Sequence, residues 1–254
     1  MSGQEGSSNA TSNLFAYASQ TAPIYPVYVR DGQGNIMWDE RAGMVQYDYG
    51  NGMNAGLTRP LFSDFNGIGL NLLDKDKSSD NQLTATAFAE IRFLKDFKFT
   101  TNNNVNLLEV RSLAQGNPYY GSYIAYGGMN QVSHTRNTDY TFQQLLNWNH
   151  LFNNRHNVSV LVGHEWYKSV TATIGGAKSG IFLPSNMELD GAIVTEEASS
   201  ATGEYNNEGW LMRAMYDLDS KYFFSGSFRR DASSNFHPDH RWGNFWSLGG
   251  AWII

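Results

Sequence analysis

Several stretches of this sequence hold side chains that could do chemistry. His237, Asp239 and His240 crowd into "NFHPDHRWG", and imidazole and carboxylate groups together can hold zinc. Their spacing matches no standard zinc site, and Pro238 stiffens the backbone between them, so a polar loop is expected and no metal is assigned. "DKDKSSDNQLTA" opens with the aspartate spacing of an EF-hand calcium loop. It then carries Ser79 where that loop needs glycine and Ala85 where it needs a bidentate glutamate. No cofactor is expected, with a loosely held calcium ion at this loop as the alternative. Glu196 and Glu197 are adjacent, so on a strand they point to opposite faces and do not make the carboxylate pair of a glycosidase. "GAKSG" lacks the glycine spacing of a phosphate loop, and neither G-x-S-x-G nor H-E-x-x-H occurs. No catalytic residue is assigned, and the chain reads as a non-enzyme.

Binding is a different matter. Tyr119, Tyr120, Tyr123 and Tyr126 gather in "NPYYGSYIAY". Such rings stack on sugars, which makes these four the candidate cargo- or partner-facing aromatics; packing of loop against loop is the competing use of the same rings. Glu90, Arg92, Gln143, Asn147 and Arg213 form a second set. Each falls on the polar parity of a strand-like stretch and is expected to line a wet lumen or face a plug within it.

These side chains need a scaffold, and its class follows from composition. Of 254 residues, 41% are hydrophobic, 14% aromatic and only 17% charged, against about 25% charged in average soluble domains. Asn, Ser, Thr and Gly supply the remaining polarity. A net charge of -6 without a Lys/Arg-rich run argues against nucleic acid. No cysteine is present, which removes disulfide frameworks and thiolate metal sites. No apolar run is long enough for a transmembrane helix, and "MSGQEGSSNATSN" carries no apolar signal-peptide core. The negative mean hydropathy does not decide solubility, because a membrane barrel alternates lipid-facing and lumen-facing residues.

From Leu83 onward the pattern has period 2. Leu83, Ala85, Ala87, Ala89, Ile91 and Phe93 oppose Thr84, Thr86, Phe88, Glu90 and Arg92, the signature of a two-sided strand. A weaker pattern follows in "FKFTTNNNVNL". Tyr140, Phe142, Leu146 and Trp148 then share a face interrupted by Gln144, opposite Thr141, Gln143, Asn147 and Asn149. Val158, Val160, Val162 and Trp166 oppose Ser159, Gly163 and Glu165. Trp210, Met212, Ala214, Tyr216 and Leu218 oppose Arg213 and Asp217. Tyr222, Phe224, Gly226 and Phe228 oppose Ser225, Ser227 and Arg229, and Trp246, Leu248, Gly250, Trp252 and Ile254 form the last apolar row.

Connections near Lys95, Asn154 and Ser220 are short, whereas those at roughly 108–137, 168–207 and 231–243 are long and polar. Short turns alternating with long loops is the pattern of an outer-membrane barrel, and Trp148, Trp166, Tyr216, Tyr222, Trp246 and Trp252 suit its aromatic girdles. The fold class expected is all-β: an antiparallel transmembrane β-barrel segment of about six full strands and a truncated seventh, not closed by itself, since closure takes about 8 strands. Residues 1–82 are expected to be an extracellular loop region with a hairpin at "YPVYVRDGQGNIMWDE", and residues 83–254 the barrel strands. A soluble β-rich carbohydrate-binding module is the runner-up; it would cover the apolar face with a second sheet. A β-fold glycosidase is a third class, disfavoured by the missing acid/base pair.

"DYGNGMNAGLTRP", "FLKDFKFT", "NPYYG", "QQLLNW", "HNVSVLVGHEWY" and "LDSKYFFSGSFRRDASSNFHPDHRWGNFWSLGGAW" closely resemble the barrel of SusC/RagA-type TonB-dependent outer-membrane transporters. The resemblance runs from about Pro23 to Ile254 and is most specific from Ser220 to Trp252. It implies a barrel of about 22 strands with an N-terminal plug in the outer membrane of a Gram-negative bacterium. It also implies a SusD-like surface lipoprotein partner, energy from the TonB complex through N-terminal parts, and oligosaccharide or peptide cargo. The sequence shows no TonB box, plug or closing strands, so the expectation is an internal piece of such a barrel.

Overall fold

A computed structural model describes residues 18–19, 21–54, 56–60, 63 and 65–254. The opening "MSGQEGSSNATSN" lies outside them. A small hairpin, β1 (Trp38–Asp39) with β2 (Met44–Val45), is followed by a short helix, α1 (Gly67–Leu73). Seven strands then run in sequence: β3 (Lys75–Phe93), β4 (Phe97–Gly116), β5 (Met129–Phe152), β6 (His156–Ile181), β7 (Ala192–Leu218), β8 (Tyr222–Ser233) and β9 (Trp242–Trp252). They form one open antiparallel sheet in which every strand lies beside its sequence neighbour. The expected all-β meander is therefore what the chain folds into.

Tight turns join β3 to β4, β5 to β6 and β7 to β8. Each places two consecutive residues at positive φ: Leu94 and Lys95 at 46° and 62°, Asn153 and Asn154 at 50° and 54°, Asp219 and Ser220 at 52° and 54°. Two left-handed residues in a row make a type I′ turn, whose twist matches that of the strands it joins.

The other connections differ from expectation. The stretches 108–137 and 168–207 are mostly strand, and the true loops shrink to residues 117–128 and 182–191. β3 likewise begins at Lys75 rather than Leu83. The cause is that an antiparallel ladder needs only backbone groups, so it continues where the side chains do not alternate. Polar side chains add rungs. Asn137 Oδ1 accepts from the hydroxyls of Ser169 and Thr171 at 3.3 and 2.8 Å, and the Tyr167 hydroxyl donates to Asp139 at 3.1 Å.

Two compact units divide the chain. The first comprises Met1–Ser79, Arg111–His134 and Ile174–Ser199. Within it a turn at Asp31–Asn35 is closed by the bridge Arg30↔Ile36, and Tyr28 bridges to Tyr47 farther along the chain. Its core holds Tyr47, Tyr49 and Tyr120, the last two stacked at 4.8 Å with planes 6° apart. The Arg59 side chain is buried: Nη2 donates to the carbonyls of Pro26 and Asp48 and lies 3.4 Å from Asp48 Oδ2. Gly50, at φ 69°, leaves the space that the Arg59 stem fills. Asn66 caps α1 by accepting from Ile68 N and Gly69 N, and Asp74 leaves the helix to accept two hydrogen bonds from Asn117. The second unit comprises Asp80–Val110, Thr135–Thr173 and Ser200–Ile254. Its strands present two faces of opposite character.

Candidate functional site

Alternation along each strand sorts the second unit into an apolar and a polar face. On the apolar face aromatic residues collect at two levels. Near the tight turns lie Phe93, Phe97, Trp148 and Phe152 in a chain of ring contacts, Tyr216 beside Phe224, and Tyr222 stacked on Trp252 at 6.2 Å. Farther along the strands Phe142 stacks on Trp166, His164 meets Trp210, and Arg230 lies over the Trp242 ring at 4.8 Å. This face is uncovered: Phe224 is 59% exposed, Trp246 75% and Leu248 80%. A polar cluster breaks it at the second level. His164 lies between Gln144 and Glu208, at 3.2 and 3.1 Å, and Trp210 Nε1 donates to the same Glu208 oxygen.

The polar face is a hydrogen-bonded lattice. Gln82 and Thr84 reach Asn106, and Asn104 donates to Thr86. Asn102 donates to Gln143 at 2.9 Å, and Gln143 donates on to Glu165 at 2.8 Å. From β8, Arg229 Nη2 reaches the other Glu165 oxygen at 2.9 Å while its Nε holds Asp231 at 2.8 Å. That reach crosses β7, and buried Gly209 makes it possible. A Cβ there would stand 2.6 Å from Asp231 Oδ1 and 3.1 Å from Arg229 Nη2. Thr141, Gln143, Glu165, Tyr167, Gly209 and Arg229 surround a cavity of about 230 Å³. A larger one, about 510 Å³, includes Asn157, Ser159, Arg213, Asp217, Phe223 and Ser225 in its lining.

The sequence-assigned polar residues fall within this face. Gln143 sits in the middle of the lattice and Arg213 lines the larger cavity, with Asn147 farther along the row of Gln143. Glu90 lies 2.9 Å from Arg92 and 3.5 Å from Lys98. Glu165, Gly209 and Arg229 were not assigned as site residues, although their shared parity with Gln143 and Arg213 was the available signal. Gln144, the polar break in an apolar row, likewise pointed to the His164–Glu208 cluster.

The four tyrosines separate. Tyr120 is 4% exposed and stacked on Tyr49, and its hydroxyl donates to Asp39, so it packs loop against loop. Burial disfavours the Asp39 anion, but hydrogen bonds from Arg41 and Tyr120 outweigh it and hold the pKa at about 2. Burial, with Asp39 alongside, pushes the Tyr120 phenol well above its ordinary value. Tyr119 packs against the same cluster and Tyr123 covers Gly116, which leaves Tyr126, 53% exposed, as the open ring of the four.

Among the described residues no group of three or more His, Asp or Glu side chains converges in a way that would hold a metal. His237 and Asp239 are 71% and 80% exposed around a single 3₁₀ turn, Pro238–His240. The "DKDKSSDNQ" stretch is extended strand after Asp74, so its carboxylates are spread along the chain rather than wrapped around a point. The polar face is equipped to exchange hydrogen bonds with a polar, weakly charged molecule.

No family model matches the chain. Two curated relatives come from Formosa agariphila: TonB-dependent receptor P3, 31% identical over 186 residues, and TonB-dependent receptor P39, 28% identical over 196. Each match takes in 70% of this chain but only 18% and 17% of the respective relative. Among solved structures, the RagAB peptide transporter superposes with a TM-score of 0.66 at 19% identity, covering 85% of this chain and 22% of that one. The RagAB peptide importer in its closed-closed state gives 0.65 at 18%, covering 86% and 23%. The open seven-stranded sheet corresponds to part of that barrel, and in sequence the chain is similar to a segment of TonB-dependent receptors.

Proposed function

We propose that the chain forms part of the wall of an outer-membrane importer that takes up oligosaccharides or peptides. The observation that carries this reading is the two-faced sheet. An uncovered apolar face with aromatic residues at two levels suits a bilayer, and the face behind it is a polar lattice suited to a wet lumen. Long hairpins would project outward and the type I′ turns would lie in the periplasm. On this reading a SusD-like lipoprotein lids the outer mouth and the TonB complex supplies energy. A carbohydrate-binding module built as a sandwich would need a second sheet over Phe224, Trp246 and Leu248. Among the described residues the second sheet is the two-residue pairing of β1 with β2.

The test uses the intact polypeptide in the cell that makes it. Fractionation should place it in carbonate-washed outer membranes, and deleting its gene should abolish uptake of a fluorescent oligosaccharide or peptide that an uncoupler also blocks. Recovery in a soluble fraction, or uptake that survives deletion for every cargo tried, would overturn the reading.

A further inference from the structure

β7 continues past its neighbour. It pairs with β8 from Leu218↔Tyr222 up to Asn207↔Ser233. One residue further, Ser234 N donates to the Asn206 carbonyl and Asn206 N donates to the Ser234 hydroxyl, both at 2.9 Å. There β8 ends, and the chain turns through Phe236 and the 3₁₀ turn Pro238–His240 into β9. Within the second unit β7 extends back to Ser200, with β6 on one side and no strand on the other.

Backbone direction alternates along a strand, so Glu204, Thr202 and Ser200 aim their N–H and C=O groups to the same side as Asn206. Among the described residues no strand is paired with them. The side chains there do not guard the edge. Proteins usually blunt a free edge with lysine, proline or a bulge, whereas residues 200–203 read Ser, Ala, Thr, Gly and are all exposed. A Cβ on Gly203 would meet nothing within 4 Å, so the sheet face is open beside this edge. Glu204 is already matched by Lys168 at 2.9 Å, which leaves no net charge to select a charged ligand. The turn that follows β8 carries Phe236, 61% exposed.

From this geometry we infer that the β7 edge at Ser200–Glu204 is a strand-addition site for extended peptide cargo, with the exposed Phe236 ring of the turn after β8 available to an apolar side chain. A row of unpaired ladder groups is completed by another polypeptide backbone, and small side chains with a glycine admit it without selecting its sequence. The inference rests on the importer reading and narrows its cargo to peptides.

The experiment uses the intact polypeptide in outer-membrane vesicles and a fluorescent (Thr-Val)5 decapeptide, with a counterpart methylated at every backbone amide. Methylation keeps the side chains and removes the donors. Anisotropy should show at least tenfold weaker binding for the methylated peptide. Thr202→Pro, which deletes an edge N–H, should weaken the unmethylated peptide to a similar degree, and Thr202→Val should stay within twofold. Equal affinity for the two peptides, unchanged binding by Thr202→Pro, or binding of oligosaccharide without peptide would each overturn the inference. An edge filled by the surface lipoprotein would give the first of these results. Energised uptake of cargo beside such a result would leave the importer reading standing, and absence from the outer membrane would sink both. The two peptides on the unaltered protein decide the matter even if Thr202→Pro fails to fold.

Discussion

At the scale of single residues, the first unit depends on close approaches that one extra carbon would disturb. Gly50 combines a left-handed φ of 69° with contact against the buried Arg59 stem. Gly50→Ala should therefore destabilise this unit by about 2 kcal/mol or more, from backbone strain and overpacking together. Hydrogen exchange at Val29 and Tyr49, compared with exchange in β8, would localise the loss. Asp39 gives a pH dependence whose direction is fixed. Its folded pKa is about 2 against 3.8 for an unperturbed aspartate, so its contribution is fully present above pH 3.8 and fades as pH falls toward 2. The amount is about 2 kcal/mol. Acid unfolding of the intact protein and of Asp39→Asn should converge across that window. None of this was readable in sequence, because Tyr120 meets Asp39 from 81 positions away. Tyr120 looked like a ligand-stacking ring for the same reason: its burial is decided by partners that no local pattern reveals.

Among the strands, legibility followed side-chain alternation. Leu83–Phe93, Val158–Trp166 and Trp210–Leu218 were recognisable because apolar and polar side chains alternate along them, as the importer reading requires of a wall between lipid and lumen. The stretches 168–181 and 192–207 were invisible as strands because their backbone ladders continue without an alternating side-chain pattern. The Glu165–Arg229 pair was hidden in another way, since it depends on an absent side chain at Gly209. The tight turns offer an element-scale test. Leu94 and Lys95 occupy left-handed positions that favour Asn-Gly, and Leu94 is 77% exposed. Replacing the pair by Asn-Gly should stabilise the β3–β4 hairpin by about 0.5–1 kcal/mol, read as a shift in the urea midpoint for unfolding from lipid vesicles. The Asn153-Asn154 turn should gain less, because asparagine already tolerates that conformation.

For the whole molecule, the two faces should respond to charge in opposite ways. Val160 and Ser159 are neighbours on β6 and point to different sides. Val160→Arg places a cation on the apolar face and should cost about 2–4 kcal/mol if that face meets the bilayer midplane. Ser159→Arg, beside the larger cavity, should change stability little. Folding yield in vesicles measures both. Equal tolerance at the two positions would mean that the apolar face is covered by protein rather than lipid.

The unbroken order of the sheet carries a consequence for how such a molecule changes over generations. Because each strand's ladder is made with the strand before or after it in sequence, the heritable unit is the hairpin. Duplicating or losing one alters the width of the sheet by two strands and leaves the other ladders intact. Contacts of short sequence separation also form early in folding, so a lengthened or shortened wall can still zip up from its turns. A lineage can widen or narrow such a sheet in whole hairpins without redesigning the strands it keeps.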